Sequence, residues 1–324
     1  MWSFDYTSTA SRFAEAARVG LYAGALEPPA EAAVSEATCL GVAEARFRLV
    51  VFDSDATMGV ASALSAVPRQ AVSLVLRLTK RCHDGSFRDQ VDSALTKLGR
   101  DSLDGVLVPW TGQKRFVETW RNLKEDVRIK WLGTDHLEIA ELERLDELPS
   151  VNLTTLSPTN RKARLTHWCH ARAIEVLAML PPLEAQERAA FQDLKSDVDP
   201  HFLLTRWAVQ HGLVALPDFT DWLYRPVPDA DAYAAWTSAF ATALRCHTKH
   251  LDSPAEQRRL HLSPDALLTL AHLDPATPEA LLPMPMHATT TAAVATDAAA
   301  VIPTAPPGAP AAEVEKKSSE GASG

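Results

Sequence analysis

From residue 49 onward, short apolar runs alternate with longer amphipathic stretches. Leu49–Phe52, Ser73–Leu78, Gly105–Val108, Ile129–Leu132, Val151–Leu153, Ile174–Leu177 and Leu213–Leu216 are each bounded by polar residues, glycine or proline. Runs this short and this apolar predict strands buried on both faces, because a strand covered on one face alternates with polar residues. Between them lie helical patterns such as 88–98, where Val91, Leu95 and Leu98 share a face and Gly99 sits as a C′ stop. Strand and helix alternating at this pitch imply a parallel sheet. With an eighth strand assigned to Thr38–Val42, the sheet closes as a (β/α)8 TIM barrel of the α/β class, and it is incomplete if that first strand is absent. Asp53, Lys80, Pro109, Gly133 and Asn152 then fall at the C-terminal ends of strands, where such barrels carry their chemistry.

The ends of the chain read differently. Residues 9–25 have helical spacing, with Phe13, Ala17 and Leu21 in register and Pro28-Pro29 as a stop. After Pro226 the pattern is helical without strands, over Ala230–His247 and Ser263–Leu273. From about Pro283, Ala, Thr and Pro dominate, and too few large apolar residues remain to offset the entropy of ordering. The expected division is an N-terminal helical segment over 1–37, a barrel over 38–226, helices over 227–282 and a disordered tail over 283–324.

Composition narrows the function classes. Lys plus Arg total 32 against 41 Asp plus Glu, so the net charge of −9 provides no basic field for nucleic acid. Cys39, Cys82, Cys169 and Cys246 lie far apart without a C-x-x-C pair, which argues against a disulfide framework or a zinc cluster. His167 and Cys169 point about 200° apart on a helix, so no metal is expected at His167-Trp168-Cys169-His170. No apolar stretch is long enough to span a membrane. Asp5 and Glu15 are acidic where a targeting peptide is apolar or cationic, and the expected location is cytoplasmic.

Several motifs, in order, resemble the aldo-keto reductase superfamily over roughly residues 49–220. Asp53 stands five residues before Met58 after an apolar run, where the family has an aspartate and its catalytic tyrosine. Leu98-Gly99 leading to Asp104, the stretch Ile129-Lys130-Trp131-Leu132-Gly133-Thr134, Val151-Asn152 followed by Ser157-Pro158, and Gly212-Leu213-Val214-Ala215-Leu216-Pro217 are similar to the entries of the family's fourth, fifth, sixth and eighth strands. The resemblance implies an aldo-keto reductase-type barrel with NADPH as cofactor and Asp53 and Lys80 as remnants of the catalytic set. Met58 replaces the tyrosine that donates the proton, and Pro109 replaces the histidine that orients the carbonyl. By general acid–base magnitudes, each loss is worth of order 10²–10⁴ in rate. On the cofactor side the family's Ser-Asn pair is Asp135-His136, its amide after Asn152 is Leu153, its stacking aromatic is Met179, and its phosphate-binding lysine is Asp218. Asn152 still matches, and Arg225 lies near a family arginine.

Gly133-Thr134-Asp135-His136-Leu137-Glu138 running into Glu141-Leu142-Glu143-Arg144-Leu145 also resembles a non-catalytic branch of the superfamily, the modifier (regulatory) subunit of glutamate–cysteine ligase. That resemblance implies a pseudoenzyme of glutathione biosynthesis whose partner is the ligase catalytic subunit, with no cofactor. The alternative is a divergent NADPH-dependent oxidoreductase in which His136 or His83 supplies the proton. Trp110, next to Pro109, is expected to fill the emptied substrate pocket, Met58 to fill a gap in the core, and Asp53 to pair with Lys80.

Overall fold

The computed structural model describes residues 18–23, 42, 47–65, 67, 72–79, 87–217, 242 and 254–275, all within one compact unit over 1–285. Eight parallel strands run in chain order, each bonded to the next: β1 Leu21–Ala23, β2 Leu49–Asp53, β3 Ser73–Arg77, β4 Leu103–Pro109, β5 Ile129–Asp135, β6 Val151–Thr155, β7 Glu175–Leu180 and β8 Val214–Pro217. The segment before β1 meets β8 through Gly20 N–H to Ala215 O at 2.9 Å and Ala215 N–H to Arg18 O at 2.8 Å, which brings the sheet round on itself. At Gly20 a Cβ would lie 2.9 Å from Leu216 Cδ2, so glycine lets this seam close without displacing that side chain. The architecture is the (β/α)8 barrel that the alternating pattern predicts.

The first strand is not where the sequence pattern put it. It lies at Leu21–Ala23, inside the stretch expected to be helical, and pairs Leu21 with Val50 and Tyr22 with Val51. The barrel therefore begins before residue 38. Val19 and Leu21 face the helix layer while Tyr22 packs on the barrel interior, a two-residue alternation that the four-residue spacing of Phe13, Ala17 and Leu21 disguised. Of the predicted strand Thr38–Val42, Val42 alone is described, and it is helical.

Two separate apolar cores explain the continuous apolar runs. Leu49, Val51, Val75, Leu107, Val151, Leu153, Leu177, Val214 and Leu216 point inward and fill the barrel. Their alternates, including Val50, Phe52, Leu74, Leu76, Val106 and Val176, point outward against the helices. These helices are α1 Thr57–Leu64, α2 Phe87–Leu98, α3 Gln113–Lys124, α4 Ile139–Leu142, α5 Ala163–His170, α6 Ala185–Leu194 and α7 Pro200–Gln210. Gly99 after α2 has φ 59° and acts as the C′ stop its position predicts. Beyond the barrel, α8 Pro254–Leu260 and α9 Pro264–Ala271 pack along α6 and α7. Ser263 caps α9 by accepting from Ala266 N–H at 3.2 Å, as its Ser-Pro start implies. Among the described residues no helix is long and apolar enough to cross a membrane. The expected helix at 230–247, apart from Thr242, and the tail after 283 lie outside the described residues.

Gly133 on β5 tests how tightly the interior is filled. A Cβ there would lie 2.7 Å from Leu107 Cδ2 and 2.9 Å from the Val151 carbonyl oxygen, which is backbone and cannot swing away. Gly133→Ala is expected to destabilise the fold by about 1–3 kcal/mol, read as a lower midpoint in urea unfolding.

Candidate functional site

The inward alternation sets up the site. Two residues beyond Val51, Val75, Gly133 and Leu153 on the same face come Asp53, Arg77, Asp135 and Thr155, the last residues of β2, β3, β5 and β6. A polar ring therefore sits on the apolar filling at the C-terminal mouth. Tyr22 joins it from β1.

Arg77 is the hub of this ring. Its Nε lies 2.9 Å from Asp135 Oδ2 and its Nη1 lies 3.3 Å from Asp53 Oδ1. Nη1 also donates to the Tyr22 hydroxyl at 2.6 Å, and that hydroxyl donates in turn to Asp53, whose oxygens both lie at 3.1 Å. Asp53 and Asp135 are each only 5% exposed, so neither carboxylate has bulk water to stabilise its charge. Burial works against the charge on Arg77, yet Asp135, Tyr22 and Asp53 together hold its pKa above the ordinary arginine value. Burial, then Asp53, push the Tyr22 phenol well above the ordinary tyrosine range, against an opposing pull from Arg77. For Asp135, burial pushes upward, but the His136 hydrogen bond and the Arg77 charge prevail and lower its pKa.

A second chain of contacts leaves Asp135 on its other oxygen. His136 Nδ1 lies 2.5 Å from Asp135 Oδ1, and His136 Nε2 lies 3.0 Å from Thr155 Oγ1. An ionised carboxylate can only accept, so Nδ1 carries a proton, and Nε2 lies within hydrogen-bond reach of the threonine hydroxyl. His136 adopts φ 58°, in the left-handed region.

The residues predicted from sequence fare unevenly. Asp53 is in the ring, where Arg77 and Tyr22 are among its partners. Lys80 and Arg225 lie outside the described residues. Met58 is not a core filler: it is 45% exposed, on the face of α1 opposite buried Thr57, Val60 and Leu64. Pro109 is buried, paired with Asp135 across β4 and β5. Trp110 does not plug the barrel, because it packs on the Phe116 ring at 5.2 Å in the outer layer, and Phe116 stacks on Trp120 at 5.4 Å. Asn152 does not face the mouth. It is wholly buried, donating to Leu137 O at 3.0 Å and accepting from Thr134 Oγ1 at 2.9 Å, so its amide stitches β6 to β5. Cys169 is fully buried on α5 with its thiol pushed up to about 12 by burial, and no three His, Cys, Asp or Glu side chains converge for a metal among the described residues.

Sequence reasoning missed Tyr22, Arg77 and Thr155 as functional groups. Arg77 carried a legible signal: a charged residue two positions beyond Val75 on a strand buried on both faces must point where Val75 points. The Gly133–Leu145 motif also has local structural work. Leu137 and Leu142 are wholly buried, Thr134 bonds Asn152, and Glu138 N–H donates to Glu141 at 2.9 Å in a capping box that starts α4.

The fold is an aldo-keto reductase-type (β/α)8 barrel, with a polar ring at its C-terminal mouth. The solved structures that resemble it include an aldo/keto reductase from Brucella melitensis (TM-score 0.63, 20% identity, covering 79% of this chain and 95% of that one) and a Bombyx mori aldo-keto reductase in complex with NADP (TM-score 0.59, 16% identity, covering 78% and 88%). In sequence the chain is similar to the 9,11-endoperoxide prostaglandin H2 reductase of Trypanosoma cruzi (strain CL Brener), 25% identical over 53% of this chain and 66% of the relative, and to the glyoxal reductase of Bacillus subtilis (strain 168), 26% identical over 39% and 50%. The matches thus span about half to two-thirds of these relatives. No protein-family model matches the chain. Sequence and fold alike support the likeness to the aldo-keto reductase superfamily.

The positions that the resemblance assigns to a nicotinamide carboxamide are, among the described residues, apolar or engaged with one another. A carboxamide needs both a donor and an acceptor. At the corresponding positions Leu153 is apolar and wholly buried, both oxygens of Asp135 are taken by Arg77 and His136, and both nitrogens of His136 are taken in turn.

Arg77→Met is expected to destabilise the protein by about 3 kcal/mol, because it removes the cation that two buried carboxylates share. A pH series separates the contribution of Asp135. Its folded pKa lies below the ordinary 3.8, so its stabilisation is present above that value and is lost as pH falls through the folded one. Asp135→Asn should therefore flatten the loss of urea midpoint between pH 7 and pH 3.

Proposed function

We propose that this protein is an aldo-keto reductase-fold barrel that does not reduce carbonyls and acts by binding another protein. The observation that carries this reading is the Arg77 guanidinium, held between Asp53 and Asp135 across the mouth. The charges that a ligand would otherwise have to satisfy are satisfied by the chain itself. Loss of the proton donor at Met58 and of the orienting group at Pro109 supports the same reading. The resemblance of Gly133–Leu145 to the ligase modifier branch makes the catalytic subunit of glutamate–cysteine ligase the partner to test, in a cytoplasmic setting and in the service of glutathione biosynthesis. Such a subunit acts by contacting one state of its partner's active site better than another. Titration with NADPH or NADH, followed by tryptophan fluorescence, is expected to show no saturable quenching below millimolar cofactor, and saturation at micromolar levels would reject the reading. Mixing the barrel with the ligase catalytic subunit should lower the latter's glutamate KM, and an unchanged KM together with no co-purification removes that partner.

A second reading, a divergent NADPH-dependent oxidoreductase, is favoured by one observation. A phenol, a cation and a carboxylate still meet at Tyr22, Arg77 and Asp53, although the phenol now comes from β1. Several similar proteins are named as reductases, and glyoxal is a substrate to try. Under this reading Tyr22→Phe lowers glyoxal-dependent NADPH oxidation by about 100-fold. Under the first, neither the wild type nor the variant turns over.

A further inference from the structure

Both ring nitrogens of His136 are bonded. The contacts follow a definite order: a buried carboxylate, then the Nδ1 of an imidazole at 2.5 Å, then from Nε2 a hydroxyl at 3.0 Å. This is the signature of an activated nucleophile, with the hydroxyl in reach of its base and the base oriented by a third group. We propose that Asp135, His136 and Thr155 form a hydrolytic site in which Thr155 takes an acyl group from a small carboxylic ester. This goes beyond the binding role and needs neither cofactor nor partner.

Four features of the structure support it. The three groups stand at the C-terminal ends of β5 and β6, the end of such barrels where chemistry is placed. Asp135 is rigidly held, because its second oxygen is bonded to Arg77, itself tied to Asp53 and Tyr22; four strands thus fix the carboxylate that orients the imidazole. The His136 side chain is 35% exposed while that of Asp135 is 4% exposed, so the base is open to solvent and its orienting acid is not. His136 is also one of three non-glycine residues with positive φ among the described residues, a backbone state that concentrates at functional sites.

The reaction balances without an oxidant or reductant. As Thr155 Oγ1 adds to the ester carbonyl carbon, its proton passes to His136 Nε2, and Asp135 stabilises the resulting imidazolium. The bond to the leaving alkoxide then breaks, and the alkoxide takes the proton from His136. Water next attacks the acyl-threonine, giving one proton to His136, which returns it to Thr155 Oγ1. The products are a carboxylic acid and an alcohol.

The test uses the full chain with p-nitrophenyl acetate, and with a fluorophosphonate that labels activated hydroxyls, mapped by peptide mass spectrometry. Expected are hydrolysis and a label on Thr155. Both should fall by about 100-fold in Thr155→Val, which keeps the side-chain shape, and in His136→Asn, which tolerates the left-handed backbone. Thr155→Ser should keep the activity. Circular dichroism confirms that each variant is folded, and a variant that fails this check is replaced by Thr155→Ala. A label elsewhere, or ester turnover undiminished in folded Thr155→Val and His136→Asn, overturns the proposal. Turnover lost in His136→Asn but kept in Thr155→Val overturns the acyl-threonine step. Because neither readout involves nicotinamide, these outcomes are independent of the cofactor titration.

Discussion

The mouth of this barrel depends on one guanidinium. Asp53 and Asp135 end two strands that point into a low-dielectric interior, and either carboxylate alone would be a costly buried charge. Arg77 makes both tolerable by reaching from β3 past β4 to β5, and its remaining bond fixes the Tyr22 phenol. The inward position on β4 between them is Pro109, which has no donor to compete for either acid. Proline on β4 and arginine on the neighbouring strand thus belong together physically.

Much of the fold was legible because strands buried on both faces leave a strong apolar signal. Seven of the eight strands were located within a few residues from short apolar runs. The exception was β1, a three-residue strand whose Leu21 also continues the helical spacing of Phe13 and Ala17, so period alone could not decide. The division between the two cores was not legible at all. In Leu49-Val50-Val51-Phe52 every residue is apolar, and only closure of the barrel determines that Leu49 and Val51 go inward. For the same reason the site was half visible. Asp53 and Pro109 were found through their motif positions, whereas Tyr22 and Thr155 follow from an inward register that no linear spacing encodes. Asn152, also found through its motif, holds β6 to β5 through its amide.

The Gly133–Leu145 segment shows how local physics can resemble a functional signature. Gly133 is required by the approach of Val151 and Leu107, Thr134 by the buried Asn152 amide, Leu137 and Leu142 by the outer core, and Glu138 with Glu141 by the start of α4. Any barrel of this type with a short helix after its fifth strand faces these demands. The residues that the scaffold does not explain are Asp135 and His136, and a distinctive function is most reasonably sought there.

The two hydroxyls of the mouth are tied to groups of opposite tendency. Tyr22 donates a hydrogen bond to Asp53 and accepts one from Arg77, and its pKa is driven upward by burial and by that carboxylate. A phenol so placed is held in its protonated form with its hydrogen already engaged, which suits a structural bridge better than a donor to substrate. Thr155 instead faces Nε2 of an imidazole whose other side rests on a carboxylate. Removing the threonine proton places positive charge on the ring beside Asp135, where it is stabilised, whereas removing the phenol proton places negative charge beside Asp53, where it is opposed. Arg77 lies next to both and offsets only part of that opposition. Proton transfer in this mouth is therefore favoured along the path from Thr155 to His136.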